Sequence, residues 1–197
     1  MELVLIRHGL PERIETTDGS PADPPLSGIG KKQALRMAEW LRNEEFDCIY
    51  ASPMRRAHQT AEPLAQTSDQ SIKLDPGVAE YDVDSDIYIP VEELKQVDYP
   101  RWKSLMEDGY NDPVAFAAFC DRVVDSVEKI IADNSGKKVA IVCHGGVINV
   151  WTAHTIGFVP RLFFNPDYTS INRYMAASSG ERSVISLNQA VHLDQPS

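Results

Sequence analysis

The sequence predicts an α/β fold: a single three-layer α/β/α domain spanning residues 1–197, built on a mostly parallel sheet with one edge strand open to an antiparallel assignment. Three observations carry that prediction. Short apolar runs of strand length alternate with longer runs of helical periodicity along the 197 residues. Several of the short runs are apolar at every position, the pattern of strands covered on both faces. Hydrophobic residues make up 43% and charged residues 24%, the balance of a chain with a full core rather than a disordered one.

The elements follow in order. Leu3–Ile6 reads as the first core strand. "SGIGKKQALRMAEWLRNE" then repeats apolar residues at Ile29, Ala34, Met37, Ala38 and Leu41 with helical spacing, and Ser27 is its cap. Cys48–Ala51 is the second core strand. Ser52 and Pro53 after it read as cap and first helical residue, with Arg56 and Thr60 continuing one face. From Val78 to Asp112 the chain turns acidic and aromatic without a clear core strand. This stretch predicts a lid-like excursion over the sheet edge, partly helical from about Pro90 to Glu107. Asp112 and Pro113 open a long helix with Phe116, Cys120, Val123, Val127 and Ile131 on one face, and Gly136 ends it. Val139–Cys143 is the third core strand, followed by a weaker run at Ile171–Ala176 and another at Val184–Leu187.

In such sheets ligands bind beyond the carboxyl ends of the strands. Three strand ends carry chemistry: Arg7 and His8 after the first, "ASPMRRAHQTA" at the second, and His144 in "VCHGGVI" at the third. Arg56 lies on the face of Ser52 and Thr60, whereas Arg55 is rotated away as a surface charge. Two arginines, two histidines and a helix N-terminus gathered in an acidic protein describe a phosphate pocket, because the planar guanidinium fork holds two phosphoryl oxygens at once. Binding alone does not require two histidines. A neutral imidazole nitrogen can attack phosphorus in line and split the transfer into two easier steps.

At these residues the chain resembles the histidine phosphatase superfamily, also called the phosphoglycerate mutase-like family. "LIRHG" is similar to its opening motif and "DPPLSGIGKKQA" to the segment that follows. "ASPMRRAHQTA" is similar to the second arginine motif, "VCHGGVI" to the second histidine motif and "LNQAVHL" to the typical end. The resemblance covers nearly the whole chain. It implies a phosphoglycerate mutase-like fold with His8 as nucleophile. Arg7, Arg56 and His144 then bind the transferring phosphoryl group, with Gly9 and Gly145 counted in the phosphate-binding set. The family's proton donor is a carboxylate after the second motif, and Glu80 in "LDPGVAEYD" falls there, with Asp82 its nearest competitor. Where many members follow Arg-His-Gly with Glu or Gln and then Thr, this chain has Leu10 and Pro11. That departure predicts phosphate binding that leans on backbone amides.

Rival chemistries fit less well. Asp82, Asp84, Asp86 and Glu93 have the spacing of calcium ligands, but Ile87 stands where that loop needs Gly and Pro90 stiffens it. His8, His58, His144, His154 and His192 form no metal-ligand pattern, so neither a metal nor a cofactor is expected. His58 and His154 read as ordinary helix residues and His192 as structural. Tyr99, Trp102 and Tyr110 read as lid packing. A net charge of -10 argues against nucleic acid or an anionic membrane as partner and leaves a small phosphorylated substrate. No apolar run approaches the roughly 20 residues of a membrane helix. The opening lacks a basic, apolar leader, and the three cysteines form no CxxC pair, so the cytoplasm is the expected compartment. The residues thus predict a metal-independent phosphomonoesterase. The alternatives are a phosphoglycerate mutase-type phosphotransferase and a non-catalytic phospho-ligand-binding module.

Overall fold

The computed structural model describes residues 1–108 and 112–194. Its strands are β1 (Glu2–Arg7), β2 (Ile14–Glu15), β3 (Cys48–Ala51), β4 (Ile72–Leu74), β5 (Ile87–Tyr88), β6 (Lys138–Cys143), β7 (Ile171–Ala176) and β8 (Arg182–Gln189). Its helices are α1 (Gly28–Leu41), α2 (Arg55–Thr67), α3 (Val91–Val97), α4 (Tyr99–Asp108), α5 (Pro113–Asp133) and α6 (Gly145–Ile156).

The main sheet runs β4-β3-β6-β1-β7-β8, and its first four strands are mutually parallel. Side-chain alternation divides each central strand between two helical layers. Leu3 and Leu5 of β1, with Val139, Ile141 and Cys143 of β6, pack under α5 and α6. Val4 and Ile6, with Ala140 and Val142, pack under α1 and α2. This two-sided burial is why β1 and β6 read as continuous apolar runs.

The antiparallel pairing lies at one edge of the sheet, as the sequence reading allowed, in the pair β7–β8. β7 is antiparallel to both β1 and β8. A tight turn closed by the Ala177 N–H to the Glu181 carbonyl joins β7 to β8, and such a turn can only join antiparallel strands. Two further pairings had no signal in the sequence. β4 extends the sheet beyond β3, and β2 with β5 forms a two-stranded ribbon that ties the segment around Tyr88 to the loop after β1.

Helix starts follow local chemistry with two corrections. Ser27 caps α1: its hydroxyl accepts from the Gly30 N–H at 3.0 Å and donates to the Leu10 carbonyl at 2.8 Å. The buried face of α1 is Gly30, Ala34, Met37, Ala38 and Leu41, so Ile29, expected inside, points outward and is 61% exposed. Ser52 does not cap α2. That helix begins at Arg55, whose N–H donates to the Asp23 carboxylate at 2.9 Å, while Ser52 stays in the sheet register through its N–H to Val142.

Asp112 caps α5 as expected, accepting from the Val114 and Ala115 N–H groups, with Pro113 in the first turn. Phe119 and Ile130 are buried on the same helix face as Cys120, Val123, Val127 and Ile131, whereas Phe116 is only partly covered. The stretch expected to be helical from about Pro90 to Glu107 is two helices broken at Asp98. Pro100 has no N–H with which to continue α3 and fits the first turn of α4. Tyr110 lies outside the described residues. No helix among the described residues is long and apolar enough to cross a membrane.

One backbone contact fixes the exit of β1. A Cβ on Gly9 would sit 2.7 Å from the Gly30 carbonyl oxygen, and a Cβ on Gly30 would sit 2.1 Å from the Leu10 carbonyl oxygen. Only paired glycines let the loop lie this close to α1. Gly30→Ala is therefore expected to destabilise the protein by about 2 kcal/mol or more, as overpacking against backbone does. Gly28→Ala, where a Cβ meets nothing within 4 Å, should leave the thermal midpoint unchanged or raise it. Equal midpoints for the two variants would contradict this packing account.

Candidate active site

Parallel register gathers the chemistry at one edge. Arg7 is the last residue of β1 and His8 the next; Ser52 follows β3; His144 follows β6 and stands at the N-cap of α6. The His8 N–H donates to the Cys143 carbonyl at 3.0 Å, stitching the first strand end to the third. Arg56 enters from the first turns of α2. The two imidazole rings lie 5.1 Å apart between centroids, and Arg7, His8, Arg56 and His144 are all buried.

The state of His8 can be derived from its partners. Its Nδ1 lies 2.8 Å from the carbonyl oxygen of Gly9. A carbonyl can only accept, so Nδ1 carries the proton and Nε2 keeps its lone pair. Burial, reinforced by the Arg56 and Arg7 charges, holds the ring's basicity well below its ordinary 6.5, against the opposing pull of the Gly9 bond. His144 is neutral for the same leading reason, burial, followed by Arg56, His8 and Arg7. Its Nε2 meets the Ser52 hydroxyl at 2.8 Å, and its buried Nδ1 has no hydrogen-bond partner among the described residues.

The guanidiniums are held in different ways. Arg7 donates through Nη1 to the Pro166 carbonyl and to Asn165 Oδ1, and its Cζ lies 4.0 Å from the centre of the Tyr168 ring. Arg56 stacks over Tyr88 at 4.5 Å and donates from Nη2 to Asp82 Oδ1 at 2.9 Å. Burial works against the Arg56 charge, but Asp82, with Tyr88 and Glu80, outweighs it and keeps the group firmly protonated. The Nε and Nη1 donors of Arg56 are buried with no partner among the described residues. Unpaired buried donors are costly and rare, so they mark a place built for an acceptor.

The two candidate carboxylates are separated by environment. Glu80 accepts from the Tyr81 N–H at 2.9 Å and from the Gly146 N–H at 2.8 Å, the latter in the first turn of α6. Burial and then the neighbouring Asp82 charge raise its pKa above the ordinary 4.5, against these amide bonds and Arg56. Asp82 is instead the counter-ion of Arg56. The start of α6 thus lines the cavity through Gly145 and Gly146, with the Gly146 N–H serving Glu80.

The expectation of free backbone amides after His8 is corrected. The Gly9 N–H donates to Thr60 Oγ1 at 2.9 Å and the Leu10 N–H to Gln33 Oε1 at 2.8 Å, because α1 and α2 present acceptors there. Gly145 does line the open space, beside Arg7 and Pro166.

That space is a cavity of about 930 Å³ with Arg7, His8, Arg56 and Glu80 in its wall. Sequence reasoning missed Tyr88 and Tyr168. Tyr168 had one usable signal: because β7 is antiparallel to β1, the residues preceding it lie at the same edge as His8. His192 supports this loop, its Nε2 lying 2.9 Å from Thr169 Oγ1 while the Thr169 N–H reaches the His8 carbonyl. Burial, aided by Arg36, lowers the His192 pKa to about 4.

Other candidates lie elsewhere. His58 pairs with Glu62 at 3.3 Å and His154 with Glu128 at 3.5 Å, both half-exposed. Glu93 pairs with Arg13 at 3.1 Å, away from the Asp82 contact. No group of three or more metal-ligating side chains occurs among the described residues. Tyr99 and Trp102 stack on each other at 5.5 Å outside the cavity wall.

Comparisons with known proteins place the chain in a family. The family model described as histidine phosphatase superfamily (branch 1) matches residues 3–189. The chain is 27% identical over 159 residues to the uncharacterized phosphatase PhoE of Bacillus subtilis, covering 80% of this chain and 79% of that one. It is 30% identical over 175 residues to a glucosyl-3-phosphoglycerate phosphatase of Mycolicibacterium vanbaalenii, covering 79% and 74%. Among solved structures, phosphoserine phosphatase of Entamoeba histolytica in complex with 3-phosphoglyceric acid superposes with a TM-score of 0.75 at 26% identity, covering 98% of both chains. Bacillus stearothermophilus YhfR shares the fold with a TM-score of 0.77 at 23% identity, again over 98% of each.

Lowered basicity means that His8 stays neutral as the pH falls below 6.5, where a free histidine would gain its proton. Nitrogen-detected NMR of the His8 ring at pH 6.5 should show a protonated Nδ1 and a bare Nε2, with a titration midpoint clearly below that pH. A midpoint at or above 6.5, or a protonated Nε2, would contradict the assignment.

Proposed function

The chain belongs to the histidine phosphatase superfamily, an enzyme hydrolysing phosphate monoesters, and on that premise we propose that it acts metal-independently on a small phosphorylated metabolite through a phosphohistidine at His8. The observation that carries this reading is the pairing of a neutral His8, bare at Nε2, with the unpartnered buried donors of Arg56. Two neighbouring guanidiniums supply the positive charge that a transferring phosphoryl group needs.

In the first step His8 Nε2 attacks phosphorus, and the bond from phosphorus to the substrate oxygen breaks. Arg7 and Arg56 hold the phosphoryl oxygens, and His144 donates to them from Nδ1, its proton placed there when Nε2 accepts from Ser52. Glu80, protonated, delivers its proton to the leaving oxygen. In the second step the Glu80 carboxylate takes a proton from water, the water oxygen bonds to phosphorus, and the phosphorus–nitrogen bond breaks to return free His8 and inorganic phosphate. Both carboxylates line the cavity, but Asp82 is bound to Arg56 whereas the pKa of Glu80 is raised by burial, which makes Glu80 the proton carrier.

Phosphate release from a panel of monoesters in the presence of a chelator tests this directly. Wild type should release phosphate, His8→Ala should not, and Glu80→Gln should lose roughly 10²–10⁴-fold in kcat. Asp82→Asn should lose less, chiefly in KM. Undiminished turnover by His8→Ala would contradict the mechanism. Interconversion of phosphoglycerates with a bisphosphate primer, in place of release, would favour the mutase reading.

A further inference from the structure

The cavity in front of His8, at about 930 Å³, is much larger than a phosphate group, and its outer part differs chemically from its phosphate end. Its apolar lining comes from two stretches of the chain, Leu162, Phe163 and Phe164 in the first and Ile87, Ile89 and Leu94 in the second. The first stretch is firmly seated. Buried Asn149 of α6 donates to the Phe164 carbonyl at 2.9 Å and accepts from the Phe163 and Phe164 N–H groups at 3.0 and 3.3 Å. The Phe163 and Phe164 rings are 5.0 Å apart between centroids.

The charge in this outer part is negative. Asp82, Asp84 and Asp112 line it, and among the described lining residues the cations are Arg7 and Arg56 alone. One Arg56 nitrogen is engaged by Asp82, and Arg7 is anchored to Pro166 and Asn165. Arg122, which lies within electrostatic reach of Glu80 and Asp84, is tied to the Pro76 and Gly77 carbonyls and is not among the described lining residues. The donors that remain open, Arg56 Nε and Nη1, belong to the phosphate end. A substrate carboxylate reaching outward from the phosphate therefore faces more like charge than opposite charge among the described lining residues, whereas an ammonium group faces opposite charge.

We propose that this site selects phosphomonoesters of carboxylate-free, amine-bearing alcohols with an apolar body. The ammonium group is drawn to the Asp84 side of the mouth, and the body lies against the Phe163–Phe164 and Ile87–Ile89 stretches. The inference rests on the hydrolase reading above and names its substrate class. Asp84 is the residue best suited to set the preference, because Asp82 is neutralised by Arg56 and Asp112 is bound to the amides that open α5.

Two matched pairs test it, each differing by one carboxylate: tyramine phosphate against O-phosphotyrosine, and phosphoethanolamine against O-phosphoserine. The carboxylate-free member of each pair is expected to have a kcat/KM about tenfold higher or more, mainly through KM, and tyramine phosphate should exceed phosphoethanolamine. Asp84→Lys should shrink or reverse both ratios, and Asp84→Asn should fall between; ratios within one variant cancel any loss of folded enzyme. Ratios near one, ratios favouring the carboxylate, or ratios unmoved by Asp84→Lys would overturn the proposal. If p-nitrophenyl phosphate is hydrolysed in a His8-dependent way while all four test esters are refused, the specificity fails and the hydrolase reading stands. If p-nitrophenyl phosphate is refused as well, the hydrolase reading fails and this inference with it.

Discussion

Burying two guanidiniums at the end of a parallel sheet is the constraint on which the rest of this structure depends. Removing a charge from water costs several kcal/mol even after relaxation, and a close partner must offset it. Here one carboxylate, Asp82, pairs with Arg56, while Arg7 has carbonyl and amide oxygens. Two tyrosine faces add smaller cation–π attraction, about 0.5–2 kcal/mol each. The pocket keeps these two charges in a buried place. Burial, reinforced by their field, keeps His8 and His144 neutral.

Neutrality alone would leave His8 free to turn. Its bond to the Gly9 carbonyl sets the tautomer, and that carbonyl is fixed by the chain path over Gly30. Thr60 then accepts from the Gly9 N–H and donates to the Arg56 carbonyl, so one hydroxyl joins the His8 loop to α2. Ser52 performs the matching task for His144. Each of these supports lies on a helix or just beyond a strand, where packing limits motion, which is what a pre-organised site requires.

Much of this was legible in the sequence for a physical reason. Strands covered on both faces must be apolar throughout, so β1, β3 and β6 announce themselves, and parallel order then brings Arg7, Ser52 and His144 to one edge. What could not be read lacks periodicity. β2 and β5 are two residues each, and β4 is a partly exposed edge strand. Ser52 looked like a helix cap because Ser-Pro is the usual opening of a helix, but Asp23, remote in sequence, already serves the first amide of α2. The amides after His8 looked free for phosphate because nothing local shows that Thr60 and Gln33 will reach them. Tyr88 and Tyr168 stayed hidden because an aromatic facing a guanidinium has no sequence spacing of its own.

The central claim, that His8 carries the phosphoryl group between substrate and water, is tested most directly by quenching the working enzyme in alkali and locating its covalent phosphate by mass spectrometry. One phosphoryl group is expected on the peptide holding His8, stable in alkali, lost in acid and absent from His8→Ala. Continued turnover with no covalent phosphate at any time point, or label on another residue, would contradict it.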